Sequence, residues 1–232
     1  MPDSGERTLA GIGLFASLPQ EDRQALEQRC HWRKFAANEQ IIDRQSETRE
    51  VFFVVRGKVR VVDYSLSGRE VSFDDIAQGG SFGELAAIDK QPRSANVVAL
   101  TDTTVAVLPP SVFTRVVTEH PATALALMQR LAQIIRAATE RIMDLSTLGA
   151  HNRVHAELLR QAGDSTREDG TAVIQPIPIH ADIASRVSTT RETVARVLSD
   201  LARDGIVKRE SGALVILDVD RLRTMVEQFK GQ

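Results

Sequence analysis

Between residues 124 and 145, seven apolar or small residues recur in strict rhythm. Ala124, Met128, Leu131, Ile135, Ala138, Ile142 and Leu145 are spaced 4, 3, 4, 3, 4 and 3. That is a heptad stripe, and it predicts one long helix with a continuous apolar edge. Such an edge can be buried inside one monomer or can form a seam between two copies of the chain. Its length and regularity favour the seam, with Met128, Leu131, Ile135, Ala138, Ile142 and Leu145 in the interface. Leu127 and Ile134 flank the stripe and are expected to pack on the preceding domain. Pro121 suits a first helical turn, and the pattern fades near Gly149.

The stripe divides the chain into regions of different period. Before it, short β-rich runs alternate with turn signals. Val51–Val55 precedes Gly57, Val59–Val62 follows it, and Ser67-Gly68 and Gly79-Gly80 mark further turns. Val97–Leu100 and Val105–Leu108 close the series. Short strands at this spacing predict an antiparallel roll or barrel over residues 1–120. Residues 121–149 form the helix and a hinge, and residues 150–232 a third region. There, Val154, Leu158 and Leu159 suggest a helix, and Gln161 to Gly170 a polar loop. Ile174–Pro178 is an extended segment whose prolines exclude a central strand. Two short helical patterns follow, then a hairpin over Val207–Leu217 turning at Ser211-Gly212, and a last helix from Asp220 to Phe229. The fold class is therefore α+β.

The two short helical patterns form a helix-turn-helix. Ile183, Ala184 and Val187 give the first helix an apolar face, and Val194, Val197, Leu198 and Leu201 do so for the second. Thr189 and Glu192 have capping-box spacing, which would start the second helix at Thr189. Opposite the apolar face stand Arg191, Glu192 and Arg196. Arginine can donate twice to guanine, and glutamate can accept from cytosine N4. From Ile183 to Arg209 six Lys/Arg face three acids, a local basic excess that the net charge of −2 conceals.

Upstream, Phe82-Gly83-Glu84-Leu85 is followed by Gln91-Pro92-Arg93-Ser94. Glycine beside a helical start lets backbone N–H groups approach an anion, and Arg93 with Ser94 can complete a phosphate clamp. Glu84 can accept hydrogen bonds from ribose hydroxyls. The bland alternative is a structural Arg93–Glu84 ion pair in an empty roll.

These two constellations resemble the cyclic-AMP receptor protein (CRP/FNR) family of bacterial transcription regulators, from about Leu14 to Leu217. The resemblance implies a cyclic-nucleotide-binding β-roll, a dimerisation helix and a winged helix-turn-helix. It assigns the ribose to Glu84 and the cyclic phosphate to Arg93 and Ser94, with backbone groups lent by Gly83 and Leu85. Thr139 alone keeps a hydroxyl at the pair of positions that meets the base, so cyclic AMP and cyclic GMP both remain open as effectors. Arg191, Glu192 and Arg196 would read a palindromic, TGTGA-like site, with His180, Thr190 and Lys208 also on the DNA side. Two departures stand out: Ser188 replaces a turn glycine, and His180 a basic phosphate contact. The implied partners are a second copy of the chain, double-stranded DNA and RNA polymerase, the last facing the Gln161–Thr171 loop.

Other readings carry less. One cysteine, Cys30, excludes a disulfide within the chain and a four-cysteine metal site, and beside Trp32 it reads as packing. His151 and His155, four apart, read as solvated or capping residues, so no metal is expected. The first eight residues lack a signal-peptide pattern and no window suits a membrane span, so a cytoplasmic protein without membrane association is expected. An enzyme switched by a cyclic nucleotide competes from another class. However, the helix-turn-helix occupies the place of a catalytic domain, and neither a Walker loop nor a catalytic triad is found. A family member that binds DNA without any ligand, or under control of another ligand, competes from within.

Overall fold

A computed structural model describes residues 7–230; the expectation for the first residues falls partly on Met1–Glu6, outside the described residues. The chain divides into two compact units, 1–134 and 135–232.

The first unit opens with a 3-10 turn at Gly13–Phe15 and α1 (Gln20–Glu27). Eight strands follow: β1 (His31–Phe35), β2 (Gln40–Ile42), β3 (Val51–Arg56), β4 (Lys58–Tyr64), β5 (Glu70–Ala77), β6 (Ser81–Phe82), β7 (Asn96–Ala99) and β8 (Thr103–Leu108). Between β6 and β7 lies α2 (Glu84–Asp89), and α3 (Pro110–Glu119) comes after β8. The strands form two antiparallel sheets, ordered β1-β8-β3-β6 and β2-β7-β4-β5. β3 explains why its sequence is an unbroken apolar run. Phe52 and Val54 face the space between the sheets, while Val51 and Phe53 face an outer core with Phe15, Phe113 and Leu127. Phe52 stacks on Phe82 at 5.0 Å on the inner side, and Phe53 meets Phe15 at 4.8 Å on the outer side. Each buried ring stabilises the fold by roughly 1.5–3 kcal/mol. Gly57 turns β3 into β4 with φ +92°, and a Cβ there would lie 2.5 Å from Thr103 Oγ1.

α4 (Pro121–Thr147) runs from the first unit into the second. Leu127 is buried in the outer core of the first unit, as the flanking position requires, and Leu131 is half-buried against the same core. Leu131 is thus drawn toward its own domain rather than standing free in the seam. Met128, Ile135 and Ile142 are 58%, 64% and 62% exposed, an apolar row with no cover in one chain. Ala138 and Thr139 are exposed as well.

The second unit contains α5 (Ala150–Ala162), a 3-10 turn (Gly163–Ser165), β9 (Ala172–Ile174), α6 (His180–Arg186), α7 (Arg191–Arg203), β10 (Val207–Glu210), β11 (Ala213–Ile216) and α8 (Val219–Lys230). The proline-limited segment contributes only the short β9, at the edge of a sheet ordered β10-β11-β9. Val154, Leu158, Ile183, Val194, Val197, Leu201, Ile206 and Leu222 share one core.

Candidate functional sites

The ligand-sensing candidate sits where β6 passes into α2. Gly83 has φ +84°, and a Cβ there would come within 2.8 Å of Arg93 Nη1 and 3.0 Å of the Glu50 carbonyl oxygen, so only glycine admits the guanidinium this closely. Arg93 is 4% exposed. Its Nη1 donates to the Gly83 carbonyl (3.0 Å), its Nη2 to the Glu50 carbonyl (2.9 Å) and Thr48 Oγ1 (3.2 Å), and its Nε to Thr48 Oγ1 (3.4 Å). The guanidinium also lies 5.7 Å from the Phe52 ring centroid. Its ion-pair partner is the Glu50 carboxylate at 3.7 Å, so the Arg93–Glu84 pair weighed from sequence does not form. Burial lowers the Arg93 pKa, opposed by Glu50 and Glu84.

Glu84 is 7% exposed, and its Oε2 has no hydrogen-bond partner. Burial raises its pKa, opposed by its own backbone N–H and then by Arg130 and Arg93. Leu85 and Ser94 are exposed. Thr139 lies in the second unit, where its hydroxyl donates back to the Ile135 carbonyl (2.9 Å). Thr48, Glu50 and Arg130 were not singled out from sequence. The first two lie more than 40 residues from Arg93, and no local pattern marks them.

The DNA-facing candidate is α7. Arg191, Glu192 and Arg196 are all exposed on it, opposite buried Val194, Val197, Leu198 and Leu201. The cap differs from expectation. Thr190, not Thr189, is the N-cap, and its hydroxyl accepts from the Thr193 N–H at 3.2 Å. Thr189 is 9% exposed and its N–H donates to the Ala184 carbonyl, which commits it to the turn. The Glu192 carboxyl is held below its usual pKa, first by its own backbone N–H and then by the Thr190 hydroxyl. It stays an ionised acceptor, while Thr190 does the capping. His180 begins α6 and its Nε2 lies 2.9 Å from Arg209 Nη2 on the wing; Lys208, also on the wing, pairs with Glu210 at 3.3 Å.

The turn between α6 and α7 is held from outside. Ser188 has φ +52°, the left-handed conformation that the glycine it replaces would favour. Arg153 of α5 donates to the carbonyls of Val187 (2.8 Å), Leu148 (2.8 Å) and Ser188 (3.1 Å). Arg141 of α4 reaches the Arg186 carbonyl. Two cations therefore face the negative end of α6.

Cys30 is buried and its thiol is pushed up to about 12, chiefly by burial, so it is inert. His155 is buried and pushed down to about 4 by burial and then by His151. It is thus a neutral core residue, not the solvated one expected from sequence. Among the described residues no three His, Cys, Asp or Glu side chains are placed to hold a metal ion, and no helix is long and apolar enough to cross a membrane.

A β-roll enclosing a buried arginine and glutamate, in one chain with a winged helix-turn-helix, defines the class of ligand-sensing DNA-binding regulators. Residues 32–120 match the cyclic nucleotide-binding domain and residues 152–225 the Crp-like helix-turn-helix domain. The chain is similar to the cyclic AMP receptor protein of Thermus thermophilus, with 32% identity over 166 residues covering 72% of this chain and 74% of that one. It is also similar to the CRP-like cAMP-activated global transcriptional regulator of Mycobacterium tuberculosis, with 24% identity over 218 residues covering 94% and 97%. The fold is shared with a solved CooA mutant from Carboxydothermus hydrogenoformans, at TM-score 0.80 and 23% identity over 95% of this chain and 98% of that one. The chain belongs to the CRP/FNR family.

Proposed function

We propose that this protein is a cytoplasmic transcription regulator, not an enzyme, which binds a near-palindromic DNA site as a homodimer under control of a cyclic nucleotide. The observation that carries the effector reading is Glu84: a buried carboxylate with an unpartnered oxygen, in the same clamp as buried Arg93. A ribose hydroxyl supplies the missing donor, and the cyclic phosphate draws on Arg93 and Ser94, with backbone groups of Gly83 and Leu85. Thr139 serves the base end. Met128, Ile135, Ala138, Ile142 and Leu145 form the seam with a second copy, and Leu131 contributes its free edge.

On the DNA, Arg191, Glu192 and Arg196 read base edges of a TGTGA-like half-site, and the two half-sites lie about 34 Å apart, one helical turn. Thr190, His180 and Lys208 contact phosphates. The segment from Gln161 to Thr171, which begins in the end of α5 and is exposed over Ser165–Asp169, is the surface offered to RNA polymerase.

A second reading has one observation in its favour. Thr48, Glu50 and Gly83 already occupy most of the Arg93 donors, as in a regulator competent without ligand. Fluorescence anisotropy on a selected DNA site separates the two. The effector reading expects cyclic nucleotide to tighten DNA binding at least about tenfold, and Arg93→Ala to abolish that gain, since a charge-assisted bond contributes roughly 1.5–3 kcal/mol. Full affinity without nucleotide, unchanged at millimolar cyclic AMP or cyclic GMP, would establish the second reading instead.

A further inference from the structure

His180, at the start of α6, and Arg209, on β10 of the wing, lie 29 residues apart in sequence, yet His180 Nε2 is 2.9 Å from Arg209 Nη2. A second tie runs beside this one: the Ile177 N–H, just ahead of α6, donates to the Gly212 carbonyl at the wing turn (2.9 Å). The start of α6 and the wing therefore form one continuous surface. Strand alternation decides which β10 side chains face it. Val207 is buried, so Arg209, next on that face, leans to the same side. Lys208 and Glu210 share the opposite face and pair there at 3.3 Å.

The two partners differ in charge. A guanidinium only donates, so Nε2 of His180 is the acceptor, and the ring is the neutral tautomer with its proton on Nδ1. Among the described residues Arg209 has no carboxylate partner, and the imidazole is its one hydrogen-bond partner. Lys208, by contrast, is offset by Glu210. Arg209 is thus a guanidinium held in place by a neutral group, with its charge uncompensated. In a helix-turn-helix the first helix crosses the DNA backbone while the second enters the major groove. A cation fixed at the start of α6 therefore stands beside the phosphates.

We propose that Arg209 binds a DNA phosphate and that His180 positions it, the two forming one clamp across α6 and the wing. The proposal rests on the DNA-binding reading above and is independent of the effector. The chain thereby does without a basic residue at the start of α6: the wing supplies the charge, and the helix supplies the acceptor that aims it. Arginine suits this task. It can bond His180 through one N–H of Nη2 and still present an edge of two parallel N–H groups to phosphate oxygens. His180 keeps Nδ1–H for the phosphate contact assigned to it above.

Fluorescence anisotropy of the full chain tests this, on a duplex selected by the wild-type protein and on one of random sequence. Salt is varied, and millimolar cyclic AMP and cyclic GMP are present throughout. Arg209→Ala should weaken binding to both duplexes alike, by about tenfold, and lower the salt slope by about one per protomer. Arg209→Lys keeps the charge, so it should keep the slope without recovering the full affinity. His180→Ala should cost about threefold or more at an unchanged slope, since no charge is lost. His180→Gln, whose amide oxygen also accepts from a guanidinium, should restore the affinity. The pair is exposed, so the fold should survive each change, and an unchanged unfolding temperature checks it. If Arg209→Ala keeps the wild-type slope and binds within about twofold, Arg209 does not touch DNA, and the proposal is wrong while the DNA-binding reading stands. If His180→Gln binds as weakly as His180→Ala, the ring does not act through Arg209 and its positioning role is refuted. If the wild-type protein binds neither duplex, the DNA-binding reading and the clamp fall together.

Discussion

Arg153 is expected to govern the stability of the second unit more than any other single polar residue. Its guanidinium holds three carbonyls, those of Leu148, Val187 and Ser188. Two of them belong to the turn in which Ser188 adopts a left-handed φ. Hydrogen bonds to a charged group contribute roughly 1.5–3 kcal/mol each, which gives an upper bound of about 4.5–9 kcal/mol for three. Arg153 is only half-buried, and carbonyls freed by its removal regain water. The expected loss for Arg153→Ala is therefore about 2–4 kcal/mol. For a unit of this size that corresponds to roughly 10–20 °C in unfolding temperature. Arg153→Lys keeps the charge but cannot span three carbonyls, so it should recover less than half of the loss. Urea unfolding followed by circular dichroism, with DNA binding measured on the same samples, reads both effects. If Arg153→Ala unfolds within about 0.5 kcal/mol of wild type, the turn holds its shape without the clamp and this reasoning fails.

Ile135→Asp places like charges on an apolar row that is 64% exposed at this position in the single chain; light scattering should then report monomers, and an unchanged dimer mass would exclude this seam. His155 predicts a pH effect. Its folded pKa, about 4, lies below the ordinary 6.5, so the unfolded state takes up the proton first. The stability it contributes is full above pH 6.5 and falls as pH drops toward 4, by at most about 3 kcal/mol. His155→Phe should flatten that part of the urea midpoint profile, and a profile unchanged in the variant would refute the assignment.

What could be read from sequence follows from periodicity, and what could not follows from distance. The run Val51–Val55 was legible because both faces of β3 are buried, and Ser211-Gly212 because the wing needs a tight turn. His31–Phe35 escaped notice because β1 shows mostly solvent, with only Phe35 fully buried. α3 is weakly marked in the sequence although Pro110 occupies its first turn, because its ten residues lie between a strand and a much stronger heptad pattern. The cap was misplaced by one residue because Thr189 and Thr190 carry the same hydroxyl. What separates them is that Thr189 is buried in the turn. Arg93 and Glu84 are legible as residue types, but the partners that fix Arg93 are Thr48 and Glu50, in the segment before β3, and Gly83, at the N-cap of α2. Asp74 and Arg130 meet across 56 residues.

That division matters most at the sensor, because the two charged residues there are unequally satisfied. Arg93 has partners on Thr48, Glu50 and Gly83, so a phosphate must exchange for some bonds already made, and its net gain from the arginine is that of one charge-assisted bond rather than of the whole guanidinium. Glu84 is the reverse case, since one oxygen has no donor and burial raises its pKa. With the folded value above the unfolded one, its contribution to stability is full below the ordinary carboxylate range and is lost as pH rises through the raised value. At neutral pH the empty site therefore carries a cost, and a ligand hydroxyl relieves it. Glu84→Gln should accordingly leave the ligand-free protein as stable as wild type or more so at pH 7, yet remove the gain in unfolding temperature on adding cyclic nucleotide. A 2′-deoxy cyclic nucleotide should show the same lack of gain on wild-type protein, because it keeps the phosphate and the base but lacks the donor. If the 2′-deoxy ligand binds within about twofold of its ribose parent, the affinity resides in the phosphate contacts, and the orphan oxygen of Glu84 is not what the effector satisfies.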